Sequence, residues 1–273
     1  MSRRSSKKSW RNAWLGALAL AVIVTVVANW LSPGFAIGVG VGGLAILMKA
    51  LSDEVVSRVA HAQDVVFAQQ ECRQQLDQLL HPVEPLPTTR GYRGSPDFLL
   101  EIYQRIRSQR PGVVLEASCG LSTIVCAYAL RQVGVGAVIS LEHDEKFAEL
   151  TRRDLVRHGL SDLAQVHHAP IVTHQIDGHP WLWYDYARAP LPSVVDMVVV
   201  DGPPSTIQKM ARFPALPLLI DRLKVGGVLL LDDADRGGER RAVEAWESRF
   251  KHIKVERLAF DKGLVVVTKL APS

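Results

Sequence analysis

Residues 113–122 read VVLEASCGLS and residues 196–204 read DMVVVDGPP. Each is a short, nearly continuous apolar run that stops at a turn of small residues or at an acid. Runs without polar alternation suit strands buried on both faces, and such strands belong to parallel sheets covered by helices. These two segments therefore predict an α/β domain, and the surrounding chain extends the same pattern.

Val113–Ser118 is read as a strand, Ser122–Val133 as a helix, Ala137–Glu142 (AVISLE) as a strand and Asp144–Gly159 as a helix. Ala164–Ile171 and Asp196–Asp201 follow as strands, then a helix over Ala211–Leu223 interrupted near Pro214 and Pro217. Gly227–Asp232 (GVLLLD) is the next strand and Gly238–Phe250 a helix. Ile253–Phe260 and Leu264–Lys269 close the chain as two strands on an Asp261-Lys262-Gly263 turn. Ahead of all these, Ser95-Pro96-Asp97 opens a helix with a capping hydroxyl, a first-turn proline and an acid near the positive helix end. Alternating strands and helices imply a doubly wound, mostly parallel seven-stranded sheet with an antiparallel final hairpin. Ligands of such sheets bind beyond the carboxyl ends of the strands.

The residues at those ends carry the chemistry. After the first strand comes Glu116-Ala117-Ser118-Cys119-Gly120-Leu121-Ser122, a small-residue turn whose backbone amides can approach a ligand as a helix begins. After the second comes Glu142-His143-Asp144, 22 residues beyond Gly120. A carboxylate at that distance can accept hydrogen bonds from both hydroxyls of a ribose. Asp201-Gly202-Pro203-Pro204 follows the fourth strand and Asp232-Asp233-Ala234-Asp235 the fifth. One acid at a strand end is explained by helix capping; three of five parallel strands ending in acid point to a site on one edge.

On these residues the chain resembles the class I S-adenosylmethionine-dependent methyltransferases, which have a Rossmann-like fold. VLEASCGLST approximates their first motif, SLEHD their second-strand acid and VVVDGPP their fourth-strand motif. RFPALPLLIDRLKVGGVLLLDDADR looks like the helix and fifth strand of a bacterial branch related to the catechol O-methyltransferase type. The resemblance covers residues 88–270. It implies that Glu116, Ser118, Gly120 and Ser122 line the methionine part of S-adenosylmethionine and that Glu142 binds the ribose. His143 and Ala169 would lie near the adenine and Asp201 beside the sulfonium. It also implies Asp201, Asp232 and Asp233 as ligands of a magnesium ion, hard oxygen donors being suited to one. The chain departs from the family at Ser118, which stands where the first motif has its first glycine. A Cβ there strains a turn that favours positive φ and keeps open a cofactor-binding module without turnover.

Other chemistry is less specific. Lys209 or His143 could act as a base, but lone residues of these types are more often simply solvated. His167 and His168 are strand neighbours that face opposite sides, which argues against a shared metal. Trp181, Trp183, Tyr184 and Tyr186 read as an aromatic-rich loop that covers substrate or fills a gap beside the sheet.

The N-terminus is a separate problem. The chain has 273 residues, 48% apolar and 22% charged, with a net charge of +4. Residues 1–11 hold five bases and no acid, which leaves 27 bases against 28 acids elsewhere. The basicity thus belongs to a tail and not to a nucleic-acid-binding surface. Three cysteines without metal or disulfide spacing suit a reducing compartment. Ala13–Leu31 is 19 uncharged residues, long enough to cross the ~30 Å hydrocarbon layer as a helix, with Trp10, Trp14 and Trp30 near its ends. A secretory signal peptide also puts bases before an apolar run, but its apolar part is typically only ~7–15 residues. Phe35–Met48 is a second, glycine-rich uncharged run, read as a weaker span or an interfacial segment.

The expected organisation is a basic tail (1–12), a transmembrane hairpin (13–50), an amphipathic helical stalk (51–81), a linker (82–94) and the catalytic domain (95–273). The stalk is read either as a short coiled coil joining two copies of the chain or as a helix packed on its own domain. A cytoplasmic tail and an intracellular cofactor favour a hairpin at the inner membrane with the domain facing the cytoplasm. The expected function is methyl transfer to a small-molecule or lipid- or sugar-linked acceptor, without nucleic acid. The alternative is a silent methyltransferase-like scaffold that assembles partners at the membrane.

Overall fold

The computed structural model describes Gly16, Ala19 and residues 33–88 and 94–272. They fall into two compact units, Met1–Phe67 and Ala68–Ser273. In the first, the described backbone is almost entirely the front part of α1 (Pro33–Leu80), a 48-residue helix. The stretch expected to form the second arm of a hairpin ending at residue 50 thus continues without a break into the expected stalk. No proline or glycine lies between Leu44 and Leu80 to interrupt it. Among the described residues no helix is long and apolar enough to cross a membrane. The run Ala13–Leu31 lies outside the described residues except for Gly16 and Ala19.

The second unit begins well before the expected boundary at residue 95, because the end of α1 belongs to its core. Leu76 and Leu80 are buried among Phe98, Ile102 and Leu130. Arg73 pairs with Asp77 and donates to the carbonyls of Leu86 and Pro87 at 3.2 and 3.1 Å. The Tyr128 hydroxyl accepts from the backbone N–H of Val83 and also bonds His158. The Pro-rich stretch through residue 88 is therefore strapped to the domain at several points.

The domain is a seven-stranded sheet built by β1 (Val113–Ala117), β2 (Ala137–Glu142), β3 (Ala164–His168), β6 (Val195–Val200), β7 (Leu223–Leu231), β8 (Ile253–Leu258) and β9 (Leu264–Lys269). The strand order is β3-β2-β1-β6-β7-β9-β8, with β9 antiparallel to both neighbours. Helices α2 (Pro96–Gln109), α3 (Leu121–Val133) and α4 (Glu145–Arg157) precede β6; α5 (Ala215–Leu219) and α6 (Gly237–Arg249) follow it. The doubly wound sheet expected from the apolar runs is thus present. Two cores explain those runs. Val114, Val199, Leu230 and Val266 face one, while Leu115, Val200, Leu231 and Val265 face the other. Successive strand side chains point to opposite faces, so both parities must be apolar.

Three local readings are corrected. The expected strand Ala164–Ile171 stops at His168, where Pro170 lacks the N–H a ladder needs. The chain then enters a separate antiparallel ribbon of β4 (Ile171–Ile176) and β5 (His179–Tyr184). The aromatic segment read as a loop is β5. Asp177 and Gly178 link the two strands with φ of 53° and 76°, the paired positive values that a two-residue hairpin turn requires. Finally, the helix expected over Ala211–Leu223 shortens to α5, bounded by Pro214, and β7 starts at Leu223 instead of Gly227.

Leu76→Ala is expected to lower the stability of the full chain by about 2–5 kcal/mol, the usual cost of emptying a packed leucine site. Urea denaturation would show this; an unchanged midpoint would mean that the end of α1 is not part of the core.

Candidate active site

The strand order reverses between β1 and β6, and the carboxyl ends of β2, β1, β6 and β7 lie side by side there. The ladder continues one bond past each strand. Ser118 N–H donates to Leu141 at 2.9 Å, Asp201 N–H to Ala117 at 3.2 Å, Asp232 N–H to Val200 at 3.0 Å and Ala169 N–H to Glu142 at 2.7 Å. Ser118, Ala169, Asp201 and Asp232 are thereby held on one edge by backbone hydrogen bonds.

The turn after β1 is built from beneath. Gly120 N–H donates to Thr123 Oγ1 at 3.1 Å, and that hydroxyl donates to Glu116 Oε2 at 2.6 Å. Ser140 Oγ donates to the same oxygen at 2.5 Å. Glu116 has no exposed surface, and burial raises its pKa against the pull of these hydroxyls. It buttresses the turn where the resemblance had it lining the ligand. Ser122 is buried in the first turn of α3. Gly120 has φ of 132° and a Cβ built on it would meet nothing within 4 Å. The turn therefore opens onto free space at the start of a 13-residue helix, where N–H groups and helix dipole favour an anionic group.

Ser118 adopts φ of 127°. The departure from glycine thus sits at a backbone conformation that disfavours a side chain.

On β2, Glu142 is nearly buried and its Oε1 accepts from Asp144 N–H at 3.0 Å. His143 Nδ1 lies 2.7 Å from the same oxygen, and its ring meets Tyr184 edge-on at 6.1 Å. The adjacent Glu142 carboxylate raises the imidazole pKa against its partial burial. Ala169 is fully buried at the end of β3. Lys209 is exposed. His168 turns to Glu145 at 2.9 Å while His167 is a separate, half-buried ring, in keeping with their opposite faces.

The acids after β6 and β7 do converge: carboxylate oxygens of Asp201, Asp232 and Asp233 lie within 4.8 Å of one another. A residue that the sequence reading left without a role lies among them. Arg212 is buried, and its Nη2 sits 3.2 Å from Asp201 Oδ1 and 2.9 Å from Asp233 Oδ2. The same guanidinium donates to the carbonyls of Asp232 and Asp201, both at 2.8 Å. Arg236 takes the other Asp233 oxygen at 2.9 Å. Burial raises the pKa of Asp201 and Asp232, and Arg212 opposes the shift in both.

The magnesium expectation fits this arrangement poorly. Arg212 already contacts one carboxylate oxygen of Asp201 and one of Asp233, so an ion would have to compete with a permanently charged guanidinium for both. Asp233 Oδ2 is engaged by Arg212, while Oδ1 lies 2.9 Å from Arg236 without a hydrogen bond to it.

The β4–β5 ribbon borders the same edge. The Gln208 side chain donates to the Leu182 carbonyl and accepts from its N–H, at 2.8 and 3.0 Å. Trp181 packs on Phe213 at 4.5 Å. A Cβ at Gly202 would strike the Tyr184 hydroxyl. The Asp177-Gly178 pair between two apolar-aromatic runs was the available signal for this ribbon; Arg212 carried no comparable one.

Residues 117–234 match a family model described as a methyltransferase domain. A search of curated proteins finds no match. Among solved structures, the chain resembles an SAH-bound methyltransferase from Podospora anserina at 15% identity and a TM-score of 0.56, covering 78% of this chain and 96% of that one. It also resembles an SAH-bound O-methyltransferase from Bacillus cereus at 18% identity and 0.52, covering 73% and 90%. A methyltransferase from Geobacter sulfurreducens aligns at 16% identity and 0.51, covering 78% and 98%. At these identities the structures establish the shared fold. With the domain match they support an S-adenosylmethionine-dependent methyltransferase.

Two outcomes follow from the site. Ser118→Gly is expected to raise stability by about 1 kcal/mol, the relief of a strained φ exceeding the entropy glycine adds to the unfolded chain; a lower urea midpoint would contradict this. The fold raises the His143 pKa, so its stabilising contribution is complete below the ordinary value of about 6.5 and is lost as pH rises through the raised value. The melting temperature of His143→Gln should therefore fall furthest below wild type at acid pH and converge with it at alkaline pH. A constant difference across that range would count against the Glu142–His143 pair.

Proposed function

We propose that this chain is a membrane-anchored S-adenosylmethionine-dependent methyltransferase. Its acceptor is a hydroxyl of a small molecule or of a lipid- or sugar-linked precursor at the cytoplasmic face. The observation that carries the reading is the meeting of three features at the switch point: the open turn at Gly120, the Glu142 carboxylate and Asp201. They stand at the ends of the adjacent strands β1, β2 and β6. The named O-methyltransferase among the similar structures favours oxygen as the acceptor atom.

When bound, S-adenosylmethionine supplies an activated methyl group on a positive sulfur. The chain's own residues would then position and not react. The turn amides at the start of α3 would take the carboxylate of the methionine part, because helix N-termini favour anions. Glu142 would accept from ribose hydroxyls with the oxygen that Asp144 does not occupy. Asp201 would stabilise the sulfonium through charge, while the ribbon and the 202–214 loop limit water at the acceptor. Placing two reactants in line is itself a large part of such catalysis.

Ala13–Leu31 supplies the anchor in this reading, and the basic tail keeps that end in the cytoplasm. The face of α1 that exposes Val55, Val56, Val59, Val66 and Phe67 is the surface through which two copies of the chain would pair. The strained Ser118 supports the silent-scaffold alternative to the extent that it hinders cofactor approach.

Calorimetry with S-adenosylmethionine on the full chain separates these readings. Binding is expected, weakened at least tenfold in Glu142→Ala, which corresponds to about 1.4 kcal/mol. No binding to the wild type would remove the enzyme reading, and unchanged binding in the variant would remove the ribose assignment.

A further inference from the structure

We infer that Arg212 is the resident cation of this edge, so that Asp201, Asp232 and Asp233 form a guanidinium site and the protein works without a divalent ion. The inference concerns the cation at the site that the methyl-transfer reading uses, and it stands on geometry independent of cofactor binding.

Three observations carry it. Arg212 reaches the carboxylates of Asp201 and Asp233 and the backbone carbonyl of Asp232 from outside the two strands that lead to them, and it is as buried as Asp232 and Asp233. Its Nη2 contacts carboxylates from both strand ends, and its two amino nitrogens also donate to the backbone carbonyls of Asp201 and Asp232. That pattern staples β6 to β7 by backbone as well as by charge, which a loosely placed surface arginine does not do. A guanidinium is planar, permanently charged and presents five donors in a fixed fork. It can therefore satisfy carboxylates and carbonyls together, whereas a magnesium ion demands octahedral oxygens at about 2.1 Å and retains several waters. The remaining Asp233 oxygen lies 2.9 Å from the half-exposed Arg236, which adds a second positive charge at the rim.

Arg212 is thus a positioning residue for Asp201. It also fixes the end of the segment that holds Gln208, whose amide grips Leu182 of the ribbon. One buried cation sets the strand ends and, a short stretch of chain away, the cover over them.

The test titrates Mn²⁺ into full-length, metal-stripped protein and follows free ion by electron paramagnetic resonance. Wild type and Arg212→Lys are expected to show no submillimolar site at the acid cluster. Arg212→Met, checked for folding by circular dichroism, is expected to gain one that Asp232→Asn removes again. A submillimolar wild-type site abolished by Asp232→Asn would overturn the inference; a wild-type site that survives Asp232→Asn lies elsewhere and leaves the cluster metal-free, as inferred. If Arg212→Met does not fold, the wild-type and Asp232→Asn titrations decide alone. Calorimetry with S-adenosylmethionine on the same samples keeps the two readings apart. Absent cofactor binding removes methyl transfer but not the guanidinium site, and a wild-type ion site at the cluster does the reverse.

Discussion

Strands covered on both faces admit almost no charge along their length, and this constraint organises the molecule. In β1, β6, β7 and β9 both side-chain parities lie in one core or the other. A charged residue inside such a strand would lose its hydration without a partner. Charge is therefore expelled to the carboxyl ends, where Glu142, Asp201, Asp232 and Asp233 gather. Where charge does lie within these strands it is partnered: Lys269 donates to the Ile220 carbonyl, and Glu116 Oε2 accepts from Thr123 and Ser140. That arrangement makes the buried Glu116 carboxyl group the brace of the turn that opens the candidate site.

The same constraint explains what could be read before any coordinates. Continuous apolar runs such as VVVD and GVLLLD state that both faces are buried, and their alternation with helical segments gives a parallel sheet. Acids at the ends of those runs mark the edge. The final hairpin was legible because Asp261-Lys262-Gly263 supplies a turn between two strand patterns. Along the chain direction, neighbouring residues determine each other's structure, and a linear reading captures them.

Partners distant in sequence were not legible. Leu76 joins the core through contacts with residues such as Ile102, which periodicity alone cannot distinguish from a stalk facing solvent or another chain. The β4–β5 ribbon was missed for a different reason. Its residues alternate weakly, with Pro180 and two histidines among them, so no clear strand pattern flanks the Asp177-Gly178 turn. Arg212 was least visible of all, since an arginine between a methionine-alanine pair and Phe-Pro looks like any surface cation. Only the fold brings it to carboxylates that are separated from one another by about thirty residues of chain.

Electrostatic balance then links the site to the loop that borders it. Three carboxylates this close could not all remain ionised in a buried place without compensation. Compensation by a side chain, unlike compensation by a dissociable ion, ties charge neutrality to backbone position. Arg212 cannot leave Asp201 without also releasing the carbonyls that hold β6 to β7. The loop between Asp201 and Arg212 is thus tied at both its ends to the charged edge, and Gln208 near its far end ties it in turn to Leu182 of the ribbon.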